Sequence, residues 1–329
     1  MRICAIETSC DETAVAIIED GKKVLSNIVS SQINTHAAFG GVIPEVASRI
    51  HIENISIVLE EAIKTANLQI EDIDAFAITQ GPGLIGSLHV GLIAAKTLAW
   101  FYNKPLIPIH HITGHIYANQ FVDDLQYPLL ALVVSGGHTE LVLLKEEYNF
   151  EILGSTQDDA IGEAYDKVAR VMGLPYPGGP HIDRLAKEGK KNYKLPKVKT
   201  QNPLDFSFSG LKSAVLQLIQ KNKEELNHAD LSYAFQEAAL NEIIDKTKMA
   251  LSQYDVEHFV LAGGVAANSR LRERVLELNH GFPTLKITIP PMWCCTDNAA
   301  MIGAVAYVAY QHGVRGDLSI SANPGLDYA

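Results

Sequence analysis

Read as apolar and polar positions, the chain runs twice through one order of elements: three strands, then helix, strand, helix, strand. In the first round RICAIET is largely apolar, TAVAIIED follows a polar turn, and KKVLSNIVSS follows Asp20-Gly21, a dipeptide suited to a hairpin. PEVASRIHIENISIVLEEAIKTA carries apolar residues at helical spacing with Pro44 in its first turn, so a helix is predicted there. IDAFAITQGPG predicts a short buried strand ending in a Gly-Pro-Gly loop, GSLHVGLIAAKTLAWFY a largely buried helix, and PLIPI another strand. In the second round YPLLALVVS, HTELVLLKE and NFEILGS are the strands, with Gly136-Gly137 turning the first pair. Helices are predicted over 159–173, 209–221 and 230–253. HFVLAGG then reads as a buried strand, NSRLRERVLEL as a helix, LKITIP as a strand and TDNAAMIGAVAYVAYQ as a closing helix. The sequences of the two rounds differ, so the repeat is architectural, and two α/β lobes with a cleft between them are expected. The first lobe is expected over 1–108 with 299–329, and the second over 109–298.

Composition narrows the class. At 329 residues the chain is long enough for two lobes, and 47% hydrophobic with 20% charged residues is ordinary for a globular protein. No apolar run has the length of a membrane span, and MRICAIETSC has no signal-peptide character, so a cytoplasmic protein with no membrane partner is expected. Cys4, Cys10, Cys294 and Cys295 form no C-x-x-C and read as reduced thiols. The net charge of −11 argues against a chain that grips nucleic acid over its whole surface. One basic run stands against that balance: KEGKKNYKLPKVKT, with Lys187, Lys190, Lys191, Lys194, Lys197 and Lys199, either a solvated loop or a local patch for an anion.

Candidate chemistry begins at IPIHHITGHIYA. His111 and His115 are four apart and stack on one helix face, which suits either a shared metal or two core histidines. A metal site needs a further ligand, and Ile112 stands where H-E-x-x-H would put its general base. Asp297, in PMWCCTDNAAMIGA, is either a helix cap or that missing oxygen ligand. Two turns carry small polar residues: Thr8, Ser9, Asp11 and Glu12 in the first round, Ser135, Gly136, Gly137 and Thr139 in the second. Such turns let backbone N–H groups approach an anion, although hairpins use the same residues. VLAGGVAANSRLRERV sets Asn268 near a helix start after a glycine pair, without the spacing of a Rossmann or P-loop motif. Asp158, Asp159 and Glu163 crowd the start of a helix, whereas Asp166 lies two turns in, where a carboxylate suits ribose hydroxyls.

ETSCDET, GGVIPEVASRIH, QGPGLIGSL, HHITGH, VVSGGHTEL, YPGGP, FSFSGLK, AGGVAAN and CTDNAAM occur in one order from residue 1 to about residue 312. In these the chain resembles the bacterial tRNA threonylcarbamoyladenosine transferase family. The resemblance implies the fold of actin, sugar kinases and the 70-kDa heat shock proteins: two duplicated ribonuclease H-like lobes around a nucleotide cleft. It implies a metal-dependent acyltransferase that moves the threonylcarbamoyl group from L-threonylcarbamoyl-adenylate to the adenosine 3′ of the anticodon, in tRNAs reading codons that begin with A. It implies one divalent transition metal per chain, iron(II) or zinc, on His111, His115 and Asp297. Adenylate contacts are implied on Val133, Val134, Ser135, Gly136, Gly137, Asp166, Gly179, Asp183 and Asn268, with metal and adenylate both assigned to the second lobe. Asp11 and Glu12 are candidates for the proton acceptor. Implied partners are tRNA, an inactive paralogue of the same fold and a small ATPase. The rival reading, a metal-dependent glycoprotein endopeptidase, has no base at Ile112.

Overall fold

The computed structural model describes residues 1–197, 199–221 and 226–328. They divide into two compact units, Met1–Asp124 with Pro290–Ala329, and Leu125–Ile289.

The first unit opens with β1 (Arg2–Glu7), β2 (Glu12–Glu19) and β3 (Lys23–Ser31), an antiparallel meander. After α1 (Ile33–Ala37) and α2 (Pro44–Thr65), β4 (Ala75–Gly81) returns parallel to β1, and β5 (Leu106–His110) follows α3 (Ile85–Phe101) parallel to β4. The sheet order is β3-β2-β1-β4-β5. Pro44 lies at the start of α2, where its missing N–H costs nothing. One side of the sheet buries Cys4, Ile6, Val15, Ile17, Phe76 and Ile78 against Val58 and Ala62 of α2 and Leu92, Ala95 and Ala99 of α3. Burial pushes the Cys4 thiol up to about 12, so it behaves as a small apolar group. α4 (His111–Tyr117) leaves the end of β5 and is buried along its whole length.

The second unit repeats the plan. β6 (Leu129–Val134), β7 (Thr139–Leu144) and β8 (Phe150–Ser155) form the meander. α5 (Ile161–Val171), α6 (Gly178–Ala186), α7 (Ser209–Lys221) and α8 (His228–Gln253) precede β9 (His258–Ala262), and α9 (Ser269–Leu276) precedes β10 (Lys286–Thr288). β9 runs parallel to β6 and β10 parallel to β9, so the order β8-β7-β6-β9-β10 matches the first sheet strand for strand. The chain then returns to the first unit with α10 (Met292–Cys295) and α11 (Ala299–Gln311).

The repeat expected from the pattern is present, but the unit boundaries are not those expected at 108/109 and 298/299. The first crossing comes later and the second earlier. α4 packs on α11, and Phe121, just beyond α4, lies ring to ring with Trp293 of α10 at 5.5 Å, which ties 111–124 and 290–298 to the first unit. α6 also departs from expectation: YPGGP reads as a chain break, yet Gly178-Gly179-Pro180 form its first turn, where no N–H donor is needed.

FSFSGLK, for which the sequence offers no role, has a structural one. Phe206 and Phe208 are fully buried, while the intervening polar groups turn to Asp158. That carboxylate accepts from the Phe208 N–H at 2.8 Å, the Ser209 N–H at 3.3 Å and the Ser209 hydroxyl at 2.6 Å, and from the Ser207 hydroxyl. It therefore caps α7 from 50 residues upstream in sequence. Burial raises its pKa, but the donors from Ser207, Ser209 and Phe208 outweigh that and hold it below the usual range. Asp158→Ala is expected to destabilise the protein by about 1–2 kcal/mol, the usual scale for a lost cap. Because the folded pKa is the lower one, the stabilisation is full at neutral pH and is lost as pH falls from the ordinary carboxylate range through the lowered value. Thermal melts of wild type and variant that converge in acid, and differ at pH 7, check this.

Candidate active site

His111 is the first residue of α4 and His115 lies one turn on, so both rings project from one side of a buried helix. Their ring centroids are 4.8 Å apart and nearly perpendicular. Asp297 reaches them from the segment before α11: its Oδ1 lies 3.4 Å from His111 Nε2 and 3.1 Å from His115 Nε2. It is not the helix cap. Asn298 takes that role, its Oδ1 accepting from the Met301 N–H at 3.0 Å, which leaves Asp297 turned to the histidines. All three residues belong to the first unit, contrary to the expected second-lobe location.

These residues suit a metal ion. One donor atom from each lies within 4.8 Å of the others, close enough to share a single ligand sphere. His115 is 1% exposed, and neither of its ring nitrogens has a hydrogen-bond partner among the described residues, although Nε2 stands beside Asp297. A buried imidazole nitrogen that makes no hydrogen bond is costly unless something else takes its lone pair. Burial raises the Asp297 pKa, but the charge of His111 and the close approach of both imidazoles outweigh it, so the group is a carboxylate far below the usual range.

Behind this triad stands the first residue of ETSCDET, for which the sequence offers no role. Glu7, the last residue of β1, is fully buried with Oε2 at 3.1 Å from His111 Nδ1. Ser9 Oγ is 3.2 Å from the same nitrogen. The signal in sequence is a lone carboxylate ending an otherwise apolar strand. Asp11 and Glu12, the candidate proton acceptors, lie just beyond and are nearly buried. Glu12 accepts from the Ser31 hydroxyl at 3.0 Å. Burial, then the Asp297 charge, then Asp11 push its carboxyl well above the usual range, so Glu12 sits within electrical reach of the triad.

The nucleotide candidates gather in the second unit. Val133 and Val134 end β6, and Ser135 turns the chain so that Gly136 and Gly137 face solvent with open space beside them. Ser135 fixes this turn, its N–H donating to the His138 carbonyl and its Oγ accepting from the His138 N–H. The Gly162 N–H donates to the Ser135 carbonyl at 3.2 Å, which seats the start of α5 against the turn. Gly263 has φ +92°, and a Cβ there would lie 2.4 Å from the Val134 carbonyl, so only glycine lets β9 pass into the next turn.

Asp166 accepts from the Gly178 N–H at 2.7 Å and fixes the YPGGP turn that carries Gly179, beside which the space is open. Asp183 accepts from the Ser269 N–H at 3.1 Å and from its hydroxyl. Asn268 caps α9 through the Leu271 N–H at 2.8 Å, and its amide donates to Gln236 Oε1 at 2.8 Å and to the Tyr165 hydroxyl. Val134, Ser135, Asp166, Asp183 and Asn268 are thus linked through α5, α6 and α9. Both amide hydrogens of Asn268 are spent internally, which makes it a structural cap first and leaves one oxygen lone pair for a ligand.

Comparison with known proteins adds the family. Residues 23–304 match the family model described as TsaD, tRNA N6-adenosine threonylcarbamoyltransferase. The tRNA N6-adenosine threonylcarbamoyltransferase of Bacillus cereus is 53% identical over 99% of this chain and 96% of its own length. That of Geobacillus kaustophilus is 53% identical over 98% and 96%. Among solved structures, HypF of T. kodakarensis aligns with a TM-score of 0.65 at 14% identity, over 95% of this chain and 48% of that one. Component A of the Acidaminococcus fermentans (R)-2-hydroxyglutaryl-CoA dehydratase aligns with a TM-score of 0.55 at 15% identity, over 94% and 99%. At such identities the structural likeness is one of fold, of the actin and sugar kinase type. With the family matched over most of its length and its relatives matched end to end, this chain belongs to the tRNA N6-adenosine threonylcarbamoyltransferase family.

Proposed function

We propose that this chain moves the threonylcarbamoyl group of L-threonylcarbamoyl-adenylate to the exocyclic amine of the adenosine 3′ of the anticodon, in tRNAs that read codons beginning with A. The observation that carries the reading is the meeting of His111, His115 and Asp297 in a member of this family. In the transfer, the adenine amine attacks the carbamoyl carbon, the bond from that carbon to the phosphate oxygen breaks, and AMP leaves. His111, His115 and Asp297 would hold a divalent transition metal, iron(II) or zinc, since imidazole with one carboxylate suits either. When bound, it supplies a Lewis acid that draws charge from a phosphate or carbamoyl oxygen.

The protein groups do the rest. The exposed N–H groups of Gly136 and Gly137 would hold the adenylate phosphate, and Asp166 the ribose, with Val133, Val134, Ser135, Gly179, Asp183 and Asn268 shaping the site. Asp11 and Glu12, both nearly buried just beyond Glu7, are the two candidates to take the proton of the attacking amine. The tRNA docks on a chain of net charge −11, so attraction has to be local. The loop over 187–200 supports such a contact. Asp230 accepts from the Lys190 N–H and from the Asn192 side chain, both at 2.7 Å, which pins the loop to α8. Its lysines are exposed, and none forms an ion pair among the described residues. No helix among the described residues is long and apolar enough to cross a membrane. The partners implied by the resemblance, an inactive paralogue and a small ATPase, would need docking surface. Ile85, Ile93, Trp100 and Phe101 on and at the end of α3 are exposed apolar groups of the kind that interfaces use. Acceptance of tRNA as substrate fits a cytoplasmic location.

Three measurements test these assignments. The purified chain is expected to hold about one transition metal, and Asp297→Ala to lose most of it with adenine-nucleotide binding intact; full occupancy in that variant removes the triad. Asp166→Ala is expected to weaken adenine-nucleotide binding by roughly 1–3 kcal/mol without changing metal content, as calorimetry of the two ligands would read. Changing Lys190, Lys191 and Lys194 together to Ala is expected to weaken binding to all tRNAs and to lower the salt slope by about 0.7–0.9 for each phosphate no longer neutralised. An unchanged slope returns 187–200 to a solvated loop.

A further inference from the structure

Burying a carboxylate at the end of β1 is not something this fold requires. β1 and β6 have equal lengths, and the turns after them, residues 8–11 and 135–138, are also equal. Glu7 pairs with Ala14 across the first hairpin as Val133 pairs with Glu140 across the second, and Ile3 and Leu129 open the parallel pairing with β4 and β9, so Glu7 and Val133 hold the same place in the two sheets. The second sheet fills that place with a valine. A carboxylate there costs several kcal/mol of desolvation unless charge and hydrogen bonds offset it.

The offset is supplied by three donors. Oε1 accepts from the Ser9 N–H at 2.5 Å, Oε2 accepts from the Thr79 hydroxyl at 2.5 Å, and Oε2 also faces His111 Nδ1 at 3.1 Å. The Ser9 N–H and the Thr79 hydroxyl donate to the two carboxyl oxygens, so both are placed as acceptors. An accepting Oε2 facing the imidazole at 3.1 Å puts the proton of this edge on Nδ1. Nε2 then carries the lone pair, and Nε2 is the nitrogen that faces Asp297 Oδ1 at 3.4 Å, beside His115 Nε2 at 3.1 Å from the same oxygen.

We propose that Glu7 is the positioning residue of the metal centre: it fixes His111 in the Nδ1–H tautomer, with the Nε2 lone pair presented to the space shared with His115 and Asp297. Glu7 does not touch the metal or substrate. It acts by removing the ring flip and the alternative tautomer, either of which would turn an N–H toward the metal. Ser9 Oγ, which can donate or accept, follows whichever tautomer Glu7 selects. Glu7→Gln is nearly isosteric but cannot satisfy both neighbours. With its oxygen toward the Ser9 N–H, its NH2 faces His111 Nδ1 and favours the wrong tautomer. Turned over, it sets two donors against each other at Ser9.

The proposal rests on the reading that His111, His115 and Asp297 hold a metal, and the experiment separates the two. Zinc affinity of the full chain is measured by competition with a chromophoric chelator, for wild type, Glu7→Gln and Glu7→Val, the last copying the residue that the second sheet uses. Both variants are expected to bind zinc about 10–100-fold more weakly than wild type, with unchanged adenine-nucleotide binding as the sign of an intact second unit. In the zinc-loaded wild type, nitrogen-15 NMR of the imidazoles is expected to report His111 protonated at Nδ1 and metal-bound at Nε2. Wild-type zinc affinity in either variant overturns the role of Glu7, as does an NMR signature of metal at His111 Nδ1, which needs no variant to fold. Failure of wild type itself to bind zinc, iron(II) or cobalt(II) overturns the metal reading beneath it, and with it this role.

Discussion

The contact between α4 and α11 is the constraint on which the meeting of His111, His115 and Asp297 depends. It brings His111 and Asp297 together across most of the chain length, and it is close because α4 carries no side chain at Gly114. A Cβ there would lie 2.9 Å from Ile302 Cδ1 and 3.2 Å from Met301 Cγ. Met301 is also the residue whose N–H is capped by Asn298, so the start of α11 is held from inside and outside at once. The Ala300 N–H adds a third tie, donating to Asn27 Oδ1 of β3 at 3.2 Å. Three weak constraints at one helix start decide where a carboxylate two or three residues earlier must point. Packing in this unit is thus the means by which the chemistry is assembled, not a background to it.

Much of this is legible in the residues. The period of apolar positions marks both meanders and the helices between them, because strands buried on one sheet and helices buried on one stripe must show it. Asp297 and the His111–His115 pair are legible because two histidines four apart on a helix and a carboxylate before another helix are residue types that suit a shared ion. What stays hidden is whatever depends on long-range partners. Glu7 looks like a polar stop to a strand until His111 is brought to it. Asp158 looks like an acidic first turn, and only the fold reveals that it caps α7 instead of its own helix. The unit boundary is hidden for the same reason: 109–124 carries no composition change, and its allegiance is set by what α4 and Phe121 pack on. α6 escapes the pattern because two glycines and two prolines break a helix in its middle but open one at its start.

The two sheets also show how a duplicated plan divides its labour. Equivalent places carry Glu7, Ser9, Asp11 and Glu12 in one copy, and Val133, Ser135, Gly137 and His138 in the other. The first turn is anionic; the second carries no acidic side chain and leaves Gly136 and Gly137 exposed. One geometry serves both because a strand end followed by a short turn aims its side chains and its N–H groups the same way whatever the residues are. The same backbone plan thus carries a different charge in each copy, which is the sense in which a fold leaves function to its sites.

The clamp at Asp158 has a consequence for the segment it closes. With Asp158 bound to 207–209, and Thr156 bridged to Phe206 beside it, everything from α5 to the basic run becomes a loop whose ends are fastened together. The entropy of closing such a loop grows only with the logarithm of its length, so doubling it costs about 0.6 kcal/mol. Lengthening or shortening the lysine-bearing stretch therefore leaves the meander, the turn at Gly136 and the cap of α9 nearly untouched in energy. The fold has placed a lysine-bearing surface stretch where a change of length is cheap.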